Sequence, residues 1–90
     1  MKKIAVLGST GSIGRQALDV IEKNKNIFNL NLISAYSNYK LLAEQANKFQ
    51  PKVVIICDST KVDKLNKFIK NPKIEIFHGE SSLNDFSKYC

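Results

Sequence analysis

Short apolar runs alternate along the chain with segments of helical periodicity. The apolar runs predict four β-strands, at residues 4–7, 30–35, 53–56 and 73–78. Between the strands, apolar side chains recur every three or four residues, which predicts helices over residues 13–23, 39–49 and 62–69. A weaker helical pattern covers residues 83–89. This alternation is typical of a parallel α/β sheet with right-handed crossovers.

The strand patterns also predict the order of the sheet. We expect a Rossmann-like, doubly wound parallel sheet with its four strands in the order 4-3-2-1. In residues 73–78, Ile74 and Ile76 alternate with Glu75 and Phe77, so one face is partly polar, which favours an edge position. Residues 4–7 are continuously apolar, as in a strand buried on both faces. Because this order leaves the first strand at an edge, a neighbouring strand is missing. We therefore interpret residues 1–90 as the amino-terminal portion of a larger, incomplete domain.

Three glycines at intervals of three, Gly8, Gly11 and Gly14, separate the first strand from the first helix. This strand–loop–helix context is that of a dinucleotide-binding fingerprint, although the spacing is GxxGxxG rather than GxGxxG. We expect Gly8 to turn the chain off the strand and Gly11 to let a pyrophosphate approach the backbone. We expect Gly14 to let the helix pack closely against the sheet. A glycine turn used only for packing is the alternative interpretation.

The loop also supplies candidate donors for phosphate oxygens. The backbone amides from Thr10 to Ile13 precede or open the first helix, whose N-terminus attracts anions. Three hydroxyls would add hydrogen bonds: Ser9, Thr10 and Ser12. A Walker loop is excluded, because no Gly-Lys-Ser/Thr follows at the required spacing.

The turn after the second strand decides between NAD(H) and NADP(H). An acidic residue at this position would bind the ribose hydroxyl of NAD and repel the 2′-phosphate of NADP. Residues 34–40 contain no Asp or Glu, and Ser37, Asn38 and Lys40 can all donate hydrogen bonds to a phosphate. The sequence therefore favours NADP(H).

Composition narrows the classes of partner. The 90 residues, 43% of them hydrophobic, allow one small domain, and no apolar run approaches the length of a membrane span. Most of the net charge of +6 comes from lysine. We interpret the lysine row of the third helix as a solvated face rather than a nucleic-acid site; it comprises Lys61, Lys64, Lys67 and Lys70. With no apparent leader sequence, we expect a cytoplasmic protein that binds neither membranes nor nucleic acid.

No catalytic or metal-binding set is recognisable in this chain. Cys57 and Cys90 lie far apart, which favours free thiols, and Cys57 ends an apolar strand as a structural thiol would. Asp58 is interpreted as a helix N-cap and His78 as a loop residue.

The opening segment KKIAVLGSTGSIGRQALDVIEKN resembles the amino terminus of the 1-deoxy-D-xylulose 5-phosphate reductoisomerase family, in which GSTGSIG precedes a helix containing LDV. The similarity continues weakly to Asp58 and then as a pattern of strands and helices to Cys90. Members of this family are much longer. The resemblance therefore implies that this chain is the front part of their NADPH-binding domain.

The resemblance carries further implications. The family isomerises 1-deoxy-D-xylulose 5-phosphate and reduces it with NADPH to 2-C-methyl-D-erythritol 4-phosphate, in non-mevalonate isoprenoid biosynthesis. The resemblance implies that a divalent metal (Mg or Mn) and the phosphorylated sugar substrate bind to the part of the enzyme beyond residue 90, which would also supply the catalytic residues. It also implies a homodimer. By position, the NADPH-phosphate contacts fall on Thr10, Gly11, Ser12 and Ile13, and the 2′-phosphate contacts on Tyr36, Ser37 and Asn38.

Two other interpretations stay open at the level of sequence. Aspartate-semialdehyde dehydrogenases and nucleotide-sugar epimerases have similar glycine loops, so the chain is also compatible with a fragment of another NADP-dependent enzyme. A nucleotide-binding module without catalytic activity is the third possibility.

Overall fold

Residues 2–78, which the computed structural model describes, form four β-strands and three α-helices in alternation. The strands are β1 (Lys2–Val6), β2 (Phe28–Ala35), β3 (Val53–Ile56) and β4 (Glu75–His78). The helices are α1 (Ser12–Lys23), α2 (Tyr39–Phe49) and α3 (Val62–Phe68), the last preceded by a 3₁₀ turn at Ser59–Lys61. The helix predicted at residues 83–89 lies outside the described residues.

The four strands form one parallel sheet in the order β1-β2-β3-β4. This arrangement confirms the predicted α/β class and the predicted strand order. Among the described strands it also places β4 at an edge, which its partly polar face indicated.

The three helices lie side by side in one layer. The Lys48 ammonium of α2 lies 3.0 Å from the Glu22 carboxylate of α1, and the Tyr39 ring of α2 stacks on the Phe68 ring of α3 with centroids 6.2 Å apart. Since each new strand is added on the same side of the previous one, right-handed crossovers bring all three helices to the same face of the sheet. The core between helices and sheet consists mainly of aliphatic side chains, among them Leu18, Ile21, Leu30, Ile33, Leu42, Val54, Ile56 and Leu65.

Capping and turn residues explain where the elements begin and end. The Asn38 side chain accepts a hydrogen bond from the Leu41 N–H and begins α2 at the predicted residue, and Gln50 ends the helix with a left-handed φ of 53°. β4 begins two residues later than predicted, because the Asn71 side chain and carbonyl hold a turn over residues 71–74. None of the helices within residues 2–78 is both long enough and apolar enough to cross a bilayer.

The outer edge of β1 is open. Val6 is buried, but Ala5 is exposed and Leu7, directly after the strand, is 51% exposed. A groove of about 810 Å³ follows this edge between β1 and α1, and its lining is mostly apolar. The continuous apolar run at residues 4–7 therefore reflects surface that the rest of the described chain does not cover.

Candidate functional site

The glycine loop joins the carboxyl end of β1 to the start of α1. Gly8 has a φ of +68°, a left-handed conformation that glycine adopts without steric cost. Its carbonyl oxygen accepts a hydrogen bond from the Gly11 N–H at 3.0 Å. The chain therefore turns immediately after the strand, as predicted for Gly8.

Gly14 lies in the first turn of α1, directly against the backbone of the loop. A Cβ atom at this position would lie 2.6 Å from the Ser9 Cα and still closer to the Gly8 carbonyl oxygen. The structure shows close packing at Gly14, but the partner of α1 is the loop and not, as predicted, the sheet.

The amino terminus of α1 has no side-chain cap. Gly11 is the N-cap residue, and no acidic residue lies in the first turn. The N–H groups of Ser12 and Ile13 have no intrahelical acceptor, and both residues are exposed, Ile13 by 82%. The Gly11 N–H is already bound to the Gly8 carbonyl. Of the amides predicted to bind phosphate, those of Thr10, Ser12 and Ile13 therefore stay available and that of Gly11 does not.

Gly11 leaves open space above the helix terminus. Its backbone is extended (φ −77°, ψ 172°), a conformation open to any residue, and an added Cβ would meet only the Gly8 carbonyl oxygen at 3.4 Å. Packing within the described residues therefore does not require glycine here. The geometry is still compatible with the other predicted reason for glycine at this position, which is the close approach of a ligand to the backbone.

Ser9 points into the protein and away from the loop surface. It is fully buried, its hydroxyl donates to the Gln45 Oε1 at 2.6 Å, and the Gln45 Nε2 donates to the Ser9 carbonyl at 2.9 Å. The predicted contribution of the Ser9 hydroxyl to phosphate binding is therefore wrong. Gln45 has no place in the sequence prediction, although a polar residue next to Ala46 on the apolar face of α2 is a signal that it has a buried partner.

The turn after β2 lies at the same edge of the sheet as the glycine loop. Tyr36, Ser37 and Asn38 are all exposed, Tyr36 by 71%. The Asn38 Oδ1 caps α2, which leaves its amide NH₂ to donate elsewhere. The structure thus brings the two predicted groups of contact residues to the carboxyl ends of the adjacent strands β1 and β2.

Asp58 lies beside this turn, because its N–H donates to the Tyr36 carbonyl at 2.8 Å. Its carboxylate accepts from the Thr60 hydroxyl at 2.6 Å and from the Thr60 N–H at 3.0 Å. These two bonds, the hydroxyl bond above all, hold the pKa of Asp58 below its ordinary value. Asp58 is therefore an N-cap, as predicted, but it caps the 3₁₀ turn that precedes α3 and not α3 itself.

The remaining candidates do not form a second centre in the described part of the chain. His78 ends β4 half-buried, and its Nδ1 has no partner there. Cys57 is disulfide-bonded, so the prediction of a free thiol is wrong for this residue. Within residues 2–78, no three His, Cys, Asp or Glu side chains come close enough to share a metal ion.

Comparisons with known proteins agree with this geometry. The sequence profile of the 1-deoxy-D-xylulose 5-phosphate reductoisomerase family matches residues 4–90. The reductoisomerase of Caldanaerobacter subterraneus subsp. tengcongensis is 44% identical over 89 residues, and that of Chloroherpeton thalassium is 44% identical over 88 residues. These alignments cover 99% and 98% of this chain but only 23% of each relative. The chain thus spans about a quarter of the length of the curated relatives that it matches.

Solved structures show the same similarity. The reductoisomerase from Zymomonas mobilis in complex with NADPH matches with a TM-score of 0.80 and 31% identity, over 86% of this chain and 20% of that protein. A reductoisomerase in complex with NADPH, fosmidomycin and magnesium shares the fold at 23% identity, with a TM-score of 0.81 over 89% of this chain and 20% of its own. The profile match favours this ancestry over the dehydrogenase and epimerase alternatives. Because the profile covers nearly the whole chain, including the glycine loop and both elements that flank it, the chain belongs to the 1-deoxy-D-xylulose 5-phosphate reductoisomerase family.

Proposed function

We propose that residues 1–90 form the amino-terminal portion of the NADPH-binding domain of an enzyme. That enzyme isomerises 1-deoxy-D-xylulose 5-phosphate and reduces it to 2-C-methyl-D-erythritol 4-phosphate. One juxtaposition carries the proposal: a glycine loop with available amides and a turn without acidic residues lie at the carboxyl ends of adjacent strands. The NADPH bound to the Zymomonas relative supports the choice of cofactor.

In this proposal the loop binds the pyrophosphate. The Thr10, Ser12 and Ile13 amides donate to phosphate oxygens at the positive end of the α1 dipole. Hydrogen bonds to a charged acceptor contribute about 1.5–3 kcal/mol each, so two or three of them account for a large part of the binding energy of a dinucleotide. The hydroxyls of Thr10 and Ser12 are further donors.

The turn after β2 binds the adenosine 2′-phosphate. Ser37 and the Asn38 amide supply donors, and the exposed Tyr36 ring offers a face for the adenosine. Two lysines add positive potential near the turn, Lys40 in the first turn of α2 and Lys64, whose Nζ lies 5.7 Å from the centre of the Tyr39 ring. The absence of a carboxylate in residues 34–40 removes the repulsion that selects NAD in related folds.

The rest of the enzyme supplies the chemistry. In this proposal the catalytic and metal-binding residues lie beyond residue 90, as the family resemblance implies. The open edge of β1 and its apolar groove fit a further parallel strand of the same domain. Homodimerisation and a cytoplasmic location stay predictions.

A chimeric enzyme tests the proposed function. In it, residues 1–90 replace the matching amino-terminal segment of the Caldanaerobacter reductoisomerase, which is 44% identical over 89 residues. We expect oxidation of NADPH that depends on 1-deoxy-D-xylulose 5-phosphate, measured by NADPH absorbance. The parent enzyme is the positive control, and the chimera carrying Gly11→Val is the negative one. A folded chimera that binds the sugar phosphate but not NADPH would contradict the proposal.

A charge introduced into the turn tests the assignment of the 2′-phosphate. Ser37→Asp places a carboxylate among the proposed phosphate contacts, so we expect the preference of the chimera for NADPH over NADH to fall by about tenfold or more, which corresponds to a repulsion of about 1.4 kcal/mol. The ratio of kcat/KM for the two cofactors measures this change. Asn66→Asp, which adds the same charge at an exposed position of α3, is the matched control and should leave the ratio unchanged.

A further inference from the structure

Gln45 connects α2 to the glycine loop through two buried hydrogen bonds. Its Oε1 accepts from the Ser9 hydroxyl at 2.6 Å, and its Nε2 donates to the Ser9 carbonyl at 2.9 Å. The Ser9 carbonyl can only accept, so the NH₂ group of the amide must face it and the orientation of the Gln45 side chain is unambiguous. Gln45 is 7% exposed and Ser9 is fully buried, so water does not compete for either bond.

A second element fixes the other side of Ser9. The Ser9 N–H donates to the Ser34 carbonyl at 2.8 Å, and the Gly8 N–H donates to the Ser34 Oγ at 3.3 Å. The two peptide groups that flank Ser9 are therefore held from different directions, one by β2 and the other by α2.

The Gln45 bond sets the direction of the Thr10 amide. The described chain contains no cis peptide bond, and in a trans peptide the carbonyl and the N–H of the same plane point in opposite directions. Because the Ser9 carbonyl points inward to Gln45, the Thr10 N–H points outward from the loop. It has no acceptor within residues 2–78.

We propose that Gln45 is a positioning residue for the dinucleotide, which aims the Thr10 N–H at the cofactor phosphate through the Ser9–Thr10 peptide plane without itself touching the cofactor. This inference rests on the proposed function, and it adds that cofactor binding requires the Gln45 side chain of α2. Without Gln45 that peptide can rotate, and the amide is no longer pre-oriented when the cofactor arrives.

The test uses Gln45→Met in the chimeric enzyme, which keeps the length of the side chain and removes both hydrogen bonds. We expect the dissociation constant for NADPH to rise about tenfold, as loss of one charge-assisted hydrogen bond implies. We also expect KM for the sugar phosphate, and kcat at saturating NADPH, to stay within about twofold, because binding energy rather than chemistry is lost. Glu44→Met, the same new side chain at the adjacent exposed position, is the matched control.

A double variant separates positioning from stability. In Gln45→Met the Ser9 hydroxyl is left buried without a partner, and adding Ser9→Ala removes that group. We expect Ser9→Ala to restore part of the lost thermal stability of the Gln45→Met chimera but none of its NADPH affinity. Recovery of affinity in parallel with stability would overturn the inference, since Gln45 would then be a structural residue only.

Other outcomes are also decisive. If Gln45→Met does not fold, Gln45→Asn, which withdraws the amide by one methylene group, should show the same selective loss. If the variant that folds binds NADPH as tightly as the unsubstituted chimera does, the positioning role is refuted and the proposed function is unaffected. Failure of the unsubstituted chimera to bind NADPH refutes the proposed function itself.

Discussion

Replacing Gly14 with alanine is expected to lower the free energy of unfolding by about 3 kcal/mol or more, an unusually large effect for one added methyl group. The new Cβ would overlap the Gly8 carbonyl and approach the Ser9 Cα to 2.6 Å, and both are backbone atoms that move only if α1 and the loop separate. For a domain of this size, a loss of 3 kcal/mol lowers the midpoint of thermal unfolding by roughly 12–24 °C. Circular dichroism of the 90-residue chain during heating measures this shift.

Gly11→Ala is the matched control for this experiment. It adds the same methyl group three residues earlier in the loop, where the Cβ would meet only the Gly8 carbonyl oxygen at 3.4 Å. We expect a change within about 1 kcal/mol, as for other substitutions at N-cap positions. Equal melting temperatures for the two alanine variants would show that α1 does not pack on the loop as described.

The second large effect concerns binding rather than folding. Gly11→Val in the chimeric enzyme is expected to weaken NADPH binding by at least about 100-fold, the loss of two charge-assisted hydrogen bonds. The extended backbone of Gly11 accommodates a β-branched residue, and the side chain would occupy the exposed space above the first turn of α1. Calorimetric titration with NADPH measures the affinity.

The fold of the variant must be checked in the same preparation. The far-UV spectrum and the melting temperature should match those of the unsubstituted chimera, and the affinity for the sugar phosphate should persist. Unchanged NADPH affinity in a folded Gly11→Val chimera would remove the phosphate-binding assignment of the loop, and the glycines would then serve packing alone.

The strands and helices of this fold can be predicted from local patterns in the sequence. Val53–Ile56 is a continuous β-branched run and forms a strand in the sheet interior, and Asn38 and Gln50–Pro51 delimit α2 at the predicted residues. The function of Gly8 follows in the same way, because a tight turn directly after a strand needs a left-handed residue.

The hydrogen-bonding partners of Ser9 do not follow from local patterns. Ser9 is one of three hydroxyl residues in the loop, and only its bonds to Gln45, 36 residues away, distinguish it from Thr10 and Ser12. This error concerns which polar group faces inward, a choice that the tertiary structure makes. The Gly11 amide is different, because its bond to the Gly8 carbonyl lies within the local turn.

The contacts of Ser9 imply that the glycine loop cannot be ordered before β2 and α2 have been synthesised. The loop is translated early, but its ordering contacts come from Ser34 and Gln45, which are 26 and 36 residues downstream of the groups that they hold. A nascent chain that has released only β1 and α1 contains the loop donors proposed to bind the pyrophosphate, but lacks the two residues that hold the peptide groups around Ser9. If the loop binds the cofactor as proposed, the site is completed only when α2 packs on the sheet, and cofactor affinity is expected to report on the docking of the second βα unit.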